Sequence, residues 1–98
     1  MKRILRIGLL AAFCGLAACE TAPPVQEMSD ARQAIAVARE AGAAERAAFH
    51  FKAAEDYLAS AETSLGERDY KLARRDAKQA KMKALDALKA SEVPDDPR

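Results

Sequence analysis

The sequence is poor in the residues from which catalytic and metal centres are usually built. It contains one histidine, two cysteines and no tryptophan among its 98 residues. A metal site with the usual histidine and cysteine ligands cannot be assembled from so few of them. The G-x-S-x-G, P-loop and dinucleotide-binding patterns are absent as well. We therefore expect no catalytic residues and no metal site, and we interpret His50 as a surface or border residue of a helix.

An excess of charge of one sign is also missing. The formal net charge of the whole sequence is +1. With Lys2, Arg3 and Arg6 of the N-terminal segment set aside, 13 of the 16 Lys and Arg residues remain in residues 20–98, against all 15 Asp and Glu residues. A balance this close to neutral gives no overall attraction to a polyanion. We therefore expect no nucleic-acid partner.

Helix-breaking residues are equally scarce. Between residues 28 and 89 there is no proline, and the only glycines are Gly42 and Gly66. Alanine supplies 20 of residues 20–98, whereas residues 28–89 hold only 13 large apolar side chains. Such a composition is typical of long helices that enclose a modest core. We expect a homo-oligomer or a partner to supply additional buried surface.

The one long apolar segment lies near the N-terminus. Lys2, Arg3 and Arg6 precede it, and residues 7–18 form an almost unbroken apolar run of twelve residues. A positively charged start followed by a short apolar run has the form of a secretory signal peptide. Twelve residues are too few to span a bilayer, which requires about 20. The sequence therefore predicts a cleaved signal peptide over residues 1–18.

The end of this segment, Leu16-Ala17-Ala18-Cys19, resembles the lipobox of bacterial lipoproteins. The resemblance implies cleavage before Cys19 and attachment of acyl chains, palmitate among them, to its thiol. Cys14 follows a bulky phenylalanine and would be removed with the signal peptide. A covalent lipid is the only cofactor expected, and two or more chains make membrane attachment effectively permanent. The alternative is an ordinary secreted protein with a free thiol at its start.

The residues after Cys19 indicate to which membrane the protein is sorted and how long the spacer before the domain is. By resemblance to the sorting of Gram-negative lipoproteins, Glu20 in place of aspartate favours the outer membrane, with the domain on the periplasmic side. Residues 19–27 include Pro23-Pro24 and are predicted to form the lipidated cysteine and a stiff linker. Residues 20–27 would extend about 25 Å at roughly 3.1 Å per residue. The sequence therefore predicts a tethered domain with a short spacer.

Three stripes of apolar residues, spaced alternately three and four apart, predict three helices. The first stripe is Met28, Ala31, Ile35 and Ala38. The second is Ala44, Ala47, Phe51, Ala54, Leu58, Ala61 and Leu65, and the third is Tyr70, Ala73, Ala77, Ala80, Ala84, Ala87 and Leu88. Ser29 is the expected N-cap of the first helix, and a turn near Gly42 separates the first two, with a kinked continuous helix as the alternative. Gly66 is expected at the C′ position of the second helix and Asp69 at the N-cap of the third.

The short connection between the second and third helices favours antiparallel packing. We therefore predict an all-α fold over residues 28–90, an antiparallel helical hairpin with a shorter N-terminal helix packed against it as in a three-helix bundle. A disordered tail is expected over residues 91–98, where Pro94 and Pro97 cannot continue a helix.

Several segments carry a resemblance to a known family. They are Ala34-Ile35, Ala38-Arg39-Glu40-Ala41-Gly42-Ala43, the spaced residues Ala54, Leu58 and Ala61, and Asp69-Tyr70-Lys71-Leu72-Ala73-Arg74. Together they resemble the domain of unknown function 4398, found in small bacterial envelope lipoproteins. The resemblance covers about residues 28–90 and implies a helical fold and an envelope location, but no activity. One helical hairpin is too little for a tetratricopeptide array. The major murein lipoprotein is a single uninterrupted helix, whereas this sequence has the two internal glycines Gly42 and Gly66.

The third predicted helix has a basic side that is the best candidate for a binding site. Its members are Lys71, Arg74, Arg75 and Lys78, with Met82 and Leu85 on the same side, opposite the alanine stripe. A solvated charged face explains this pattern adequately. The alternative is an anionic partner such as lipid head groups, peptidoglycan or an acidic protein surface. The sequence thus favours a membrane-anchored structural or interaction module of the envelope, or a binder of anionic envelope components.

The lipobox-like motif makes a direct prediction. Cys19→Ala should release the protein from the membrane fraction, because acyl chains need the thiol and supply the affinity for the bilayer. Cys14→Ala is the matched control and should leave processing and fractionation unchanged. Equal membrane fractions for native protein and Cys19→Ala would contradict lipidation at this residue.

Overall fold

A computed structural model describes residues 22–92. The predicted signal peptide, the lipidation site Cys19 and residues 93–98 of the predicted tail lie outside the described residues. Within residues 22–92 we find no helix with the length and hydrophobicity needed to cross a bilayer.

The described chain is all-α. Its helices are α1 (Val25–Glu40), α2 (Ala43–Arg46), α3 (Ala48–Gly66) and α4 (Tyr70–Glu92). The helices α3 and α4 form an antiparallel hairpin, and α1 packs along α4 with a smaller contact to α3. Because Glu27 near the start of α1 pairs with Arg74 near the start of α4, these two helices are parallel. The predicted hairpin with a shorter N-terminal helix is confirmed.

The first helix begins earlier than predicted. Its first residue is Val25, preceded by Pro24, and Ser29 lies inside the helix and makes no cap. The amide of Met28 donates to the carbonyl of Pro24 at 3.0 Å and closes the first turn. A proline just ahead of the first turn sacrifices no helical hydrogen bond, since its missing N–H would have no partner there. The prediction of Ser29 as N-cap is therefore wrong, and the last three residues of the predicted linker are helical.

The chain reverses at Gly42, as predicted, and a kinked continuous helix is excluded. Gly42 has φ +84°, a left-handed conformation in which a side chain would be strained. The second helix is not continuous from Ala44, however. The chain forms only the short α2 before a break at Ala47, whose φ is −136°, and then restarts as α3 at Ala48.

The turn between α3 and α4 also differs in detail from the prediction. Gly66 is the last residue of α3 and has open space where a Cβ would lie, so no glycine is required there. The left-handed residue of the turn is Arg68, with φ 64°. Asp69 caps α4 as predicted, since its Oδ1 accepts the amide of Leu72 at 3.2 Å. The assignment of Gly66 as C′ is therefore wrong, while that of Asp69 is confirmed. At its other end α4 continues to Glu92, so residues 91 and 92 of the predicted tail are helical.

The core is built mainly from alanine. Eleven of the fourteen buried hydrophobic residues are alanine, and the large ones are Met28, Ile35 and Phe51. The predicted stripe of α1 is buried as a whole, and so are Ala73, Ala77, Ala80, Ala84 and Ala87 of α4. Two clusters result, one around Ile35 and Phe51 and one around Met28, and the half-buried Leu58 packs against both.

Leu58 is the side chain whose replacement should disrupt the most packing. Leu58→Asp places a charge between the two clusters, where apolar neighbours cannot compensate it, so we expect loss of the cooperative helical melt or a large drop in melting temperature. The matched control is Leu85→Asp on α4, because Leu85 is 47% exposed. Circular dichroism melting measures both. Equal melting temperatures for the two variants would contradict this packing.

Candidate functional site

Two stripes with the same spacing run along α4 on opposite sides. The inner stripe, residues 73, 77, 80, 84, 87 and 91, is buried throughout. The outer stripe is exposed throughout and consists of Lys71, Arg75, Lys78, Met82, Leu85 and Lys89. Both follow a spacing of four and three residues, which keeps each on one side of a helix. We call the second stripe the outer face of α4.

Among the described residues, the lysines of the outer face form no ion pair. Arg75 forms an ion pair with the Asp76 carboxylate at 3.5 Å, in which the Arg75 side chain is 70% exposed and the Asp76 side chain 6%. Solvent screens the exposed guanidinium, so this pair holds Arg75 only weakly. The cations of the outer face are therefore available to a partner.

Arg74 departs from the predicted arrangement. Its Nε lies 3.4 Å from the Glu27 carboxylate, and its Nη2 donates to the carbonyl of Ala22 at 3.0 Å. Only 27% of its side chain is exposed. The prediction of a shared outward side is confirmed for Lys71, Arg75 and Lys78 and wrong for Arg74, because Arg74 lies at the junction with α1.

The one acidic residue among these cations points inward. Asp76 is 4% exposed and accepts a hydrogen bond from the hydroxyl of Ser60 on α3 at 2.7 Å. Its charge is therefore used in the α3–α4 interface. The outer face from residue 71 to residue 85 presents no acidic side chain to solvent.

Charge is divided unevenly between α4 and the rest of the domain. The helix α4 carries seven Lys and Arg residues against three Asp and Glu, whereas the other described residues carry five against nine. The near-neutral total conceals this division. Counting charge separately for each predicted helix would have revealed it. Continuing the spacing of the outer face by four residues beyond Leu85 would have added Lys89 to the candidate residues.

The two phenylalanines at the start of α3 lie on different sides of the helix. Phe51 is buried and lies under the guanidinium of Arg39, 5.3 Å from the ring centroid. Phe49 is 84% exposed, and its ring meets His50 edge-on at 5.6 Å. The exposure of Phe49 was not predicted from the sequence.

The surface of the described chain offers shallow depressions. One of them, lined by Asp69, Lys71, Leu72 and Arg75, lies at the start of α4. In residues 22–92 there is no group of three or more His, Cys, Asp or Glu side chains that could hold a metal ion. The geometry therefore directs attention to the outer face of α4 as a surface for contact with another molecule.

Comparison with protein families gives the fold a family. The family model for a domain of unknown function (DUF4398) matches residues 26–93, which include nearly all of α1 and the whole of α2, α3 and α4. The chain belongs to the DUF4398 family. Comparison with curated proteins and with solved structures gave no match. Every residue of the outer face lies within the DUF4398 segment.

The inward role of Asp76 can be tested in this DUF4398 domain. Asp76→Ala removes the charged acceptor of Ser60 and should lower the free energy of unfolding by about 1–2 kcal/mol. Asp86→Ala is the matched control, because Asp86 lies on the same helix and is exposed. Urea denaturation measures both variants. Equal midpoints would contradict a structural role for the buried carboxylate.

Proposed function

We propose that this protein is a membrane-anchored lipoprotein that faces the periplasm and acts as a structural or interaction module of the cell envelope. The observation that carries the interaction role is the outer face of α4, four cations and two apolar side chains on a helix whose opposite side is core. Exposed apolar residues among cations suit an interface with an anionic surface. No catalytic step is part of this proposal.

The proposed location rests on the sequence around Cys19. A lipid on this residue would hold the domain at the membrane, and Glu20 after it favours the outer membrane. The helical domain begins at Val25, six residues after the proposed anchor. A module of this kind would therefore work close to the bilayer that carries it.

A second candidate function is direct binding of anionic envelope components through the outer face of α4. The uneven division of charge favours it, since α4 carries a surplus of four positive charges and the rest of the described chain an equal surplus of negative ones. Peptidoglycan carboxylates and lipid phosphates are both suitable ligands for such a surface. The same division would also support self-association, with α4 of one copy against an acidic side of another.

Neutralising the outer face tests both roles. With three cations lost, Lys71→Gln, Arg75→Gln and Lys78→Gln together should weaken binding to purified peptidoglycan or anionic vesicles roughly tenfold and flatten its salt dependence. Cosedimentation of residues 20–98, which lack Cys19, measures this, and circular dichroism checks the helices.

The control removes three positive charges elsewhere, by Arg32→Gln, Arg46→Gln and Lys52→Gln. It should retain most of the binding if the position of the charges matters. Equal binding by the native protein and the outer-face variant would indicate that this face is only solvated.

A further inference from the structure

The side chain of Arg74 connects the segment before α1 to the start of α4. Arg74 donates through Nη2 to the carbonyl of Ala22 and lies with Nε 3.4 Å from Glu27. The side chains of Arg74 and Glu27 are both less than one third exposed. Solvent therefore screens this pair less than an open surface pair. Residue 22 is in this way fixed to a helix more than fifty residues along the chain.

This contact shortens the spacer between the proposed lipid and the domain. The sequence predicted an extended linker of about 25 Å over residues 20–27, but Ala22 is already held against α4. Only Glu20 and Thr21 lie between Cys19 and Ala22, so three residue steps join the two. At 3.3–3.6 Å per residue the lipidated cysteine can lie no more than about 11 Å from the Ala22 backbone. The start of α4 must therefore stay near the anchor.

The residues at this end of the bundle suit an anionic surface. Lys71 and Arg75 are exposed in the first two turns of α4, Arg68 is exposed in the turn before it, and Val25 is 72% exposed at the start of α1. Glu67 and Asp69 are the acidic residues of the same turn, and Asp69 is engaged as the cap of α4. We call Val25, Arg68, Lys71 and Arg75 the anchor-proximal end.

We propose that the anchor-proximal end rests on the bilayer that holds the lipid, with Lys71 and Arg75 paired to the phosphates of anionic lipid head groups. This inference rests on the proposed lipidation of Cys19. A cation near an anionic bilayer contributes about 1 kcal/mol, which is weak for free protein. A tether converts the contact into an intramolecular one at an effective concentration of about millimolar, so that weak pairing is sufficient to orient the domain.

The orientation leaves the rest of the molecule free for a partner. Residue 66 of α3 lies at the anchor-proximal end, and residue 49 lies about 25 Å farther from it at 1.5 Å per residue. In this orientation the bilayer would leave uncovered the exposed Phe49 and the stretch of the outer face from Lys78 to Lys89. The bundle would be held upright on the bilayer by three features: the lipid on Cys19, the contacts of Arg74 with Ala22 and Glu27, and the pairing of Lys71 and Arg75 with lipid phosphates.

This orientation can be tested by measuring how close a fluorophore at each end of the bundle lies to the lipid head groups. The full lipidated chain is placed in phosphatidylcholine vesicles with or without phosphatidylglycerol, and a fluorophore is attached to Glu67→Cys at the anchor-proximal end or to Glu45→Cys on α2 at the other end. Both glutamates are exposed, which makes the two variants a matched pair. Quenching by head-group nitroxide lipid should be several-fold stronger at position 67 than at position 45 when phosphatidylglycerol is present.

Two further variants separate the causes of this difference. Lys71→Gln with Arg75→Gln should reduce the difference to that seen in phosphatidylcholine alone, and Arg74→Gln should do the same by releasing Ala22, while vesicle flotation is unchanged. Equal quenching at positions 67 and 45 in a protein that floats with the vesicles would overturn the orientation and leave lipidation intact. Failure of the full chain to float, or flotation unchanged by Cys19→Ala, would overturn the proposed anchor and this inference together.

Discussion

The close approach of α1 and α3 to α4 is the constraint on which the rest of the structure depends. Alanines on one side of α4 reach both clusters, Ala84 and Ala87 in one and Ala77 and Ala80 in the other. A methyl side chain allows two helices to approach more closely than a leucine would. It also buries little area, so the three large buried side chains, Met28, Ile35 and Phe51, contribute a large share of the apolar burial.

This constraint also shapes the surface. Because small residues occupy the inner stripe of α4, its long side chains, seven of them cationic, are placed outside or at the borders of the helix. Asp76 is the exception to this division, since its carboxylate is buried against Ser60 on α3 and also lies 3.5 Å from the Arg75 guanidinium. Arg74 lies at the border and joins the entry of α1 to α4. The helix thus organises the core with one side and offers charge with the other.

The sequence predicts what depends on periodicity and misses what depends on contacts between distant residues. Met28, Ala31, Ile35 and Ala38 recur at the helical period, and this alone identifies the buried side of α1. Capping is less predictable, because the helix begins at Val25 after Pro24 and not at the predicted cap Ser29.

The remaining differences have similar causes. Arg68 takes the left-handed conformation that the sequence assigns to Gly66, since α3 continues to Gly66. The pairing of Arg74 with Ala22 and Glu27 has no local signal, because the contact exists only once α1 lies parallel to α4. The sequence therefore predicted the exposed positions of Lys71, Arg75 and Lys78 on α4, but not the tertiary contacts that remove Arg74 from the exposed set.

The most direct test of the account is nuclear magnetic resonance of residues 20–98 titrated with peptidoglycan fragments. If the outer face of α4 is the binding surface, the amide shifts that change should recur at residues 71, 75, 78, 82, 85 and 89, with the inner stripe nearly unchanged. Shift changes confined to α1 or α3, or none in α4, would contradict the assignment of this helix as the functional surface.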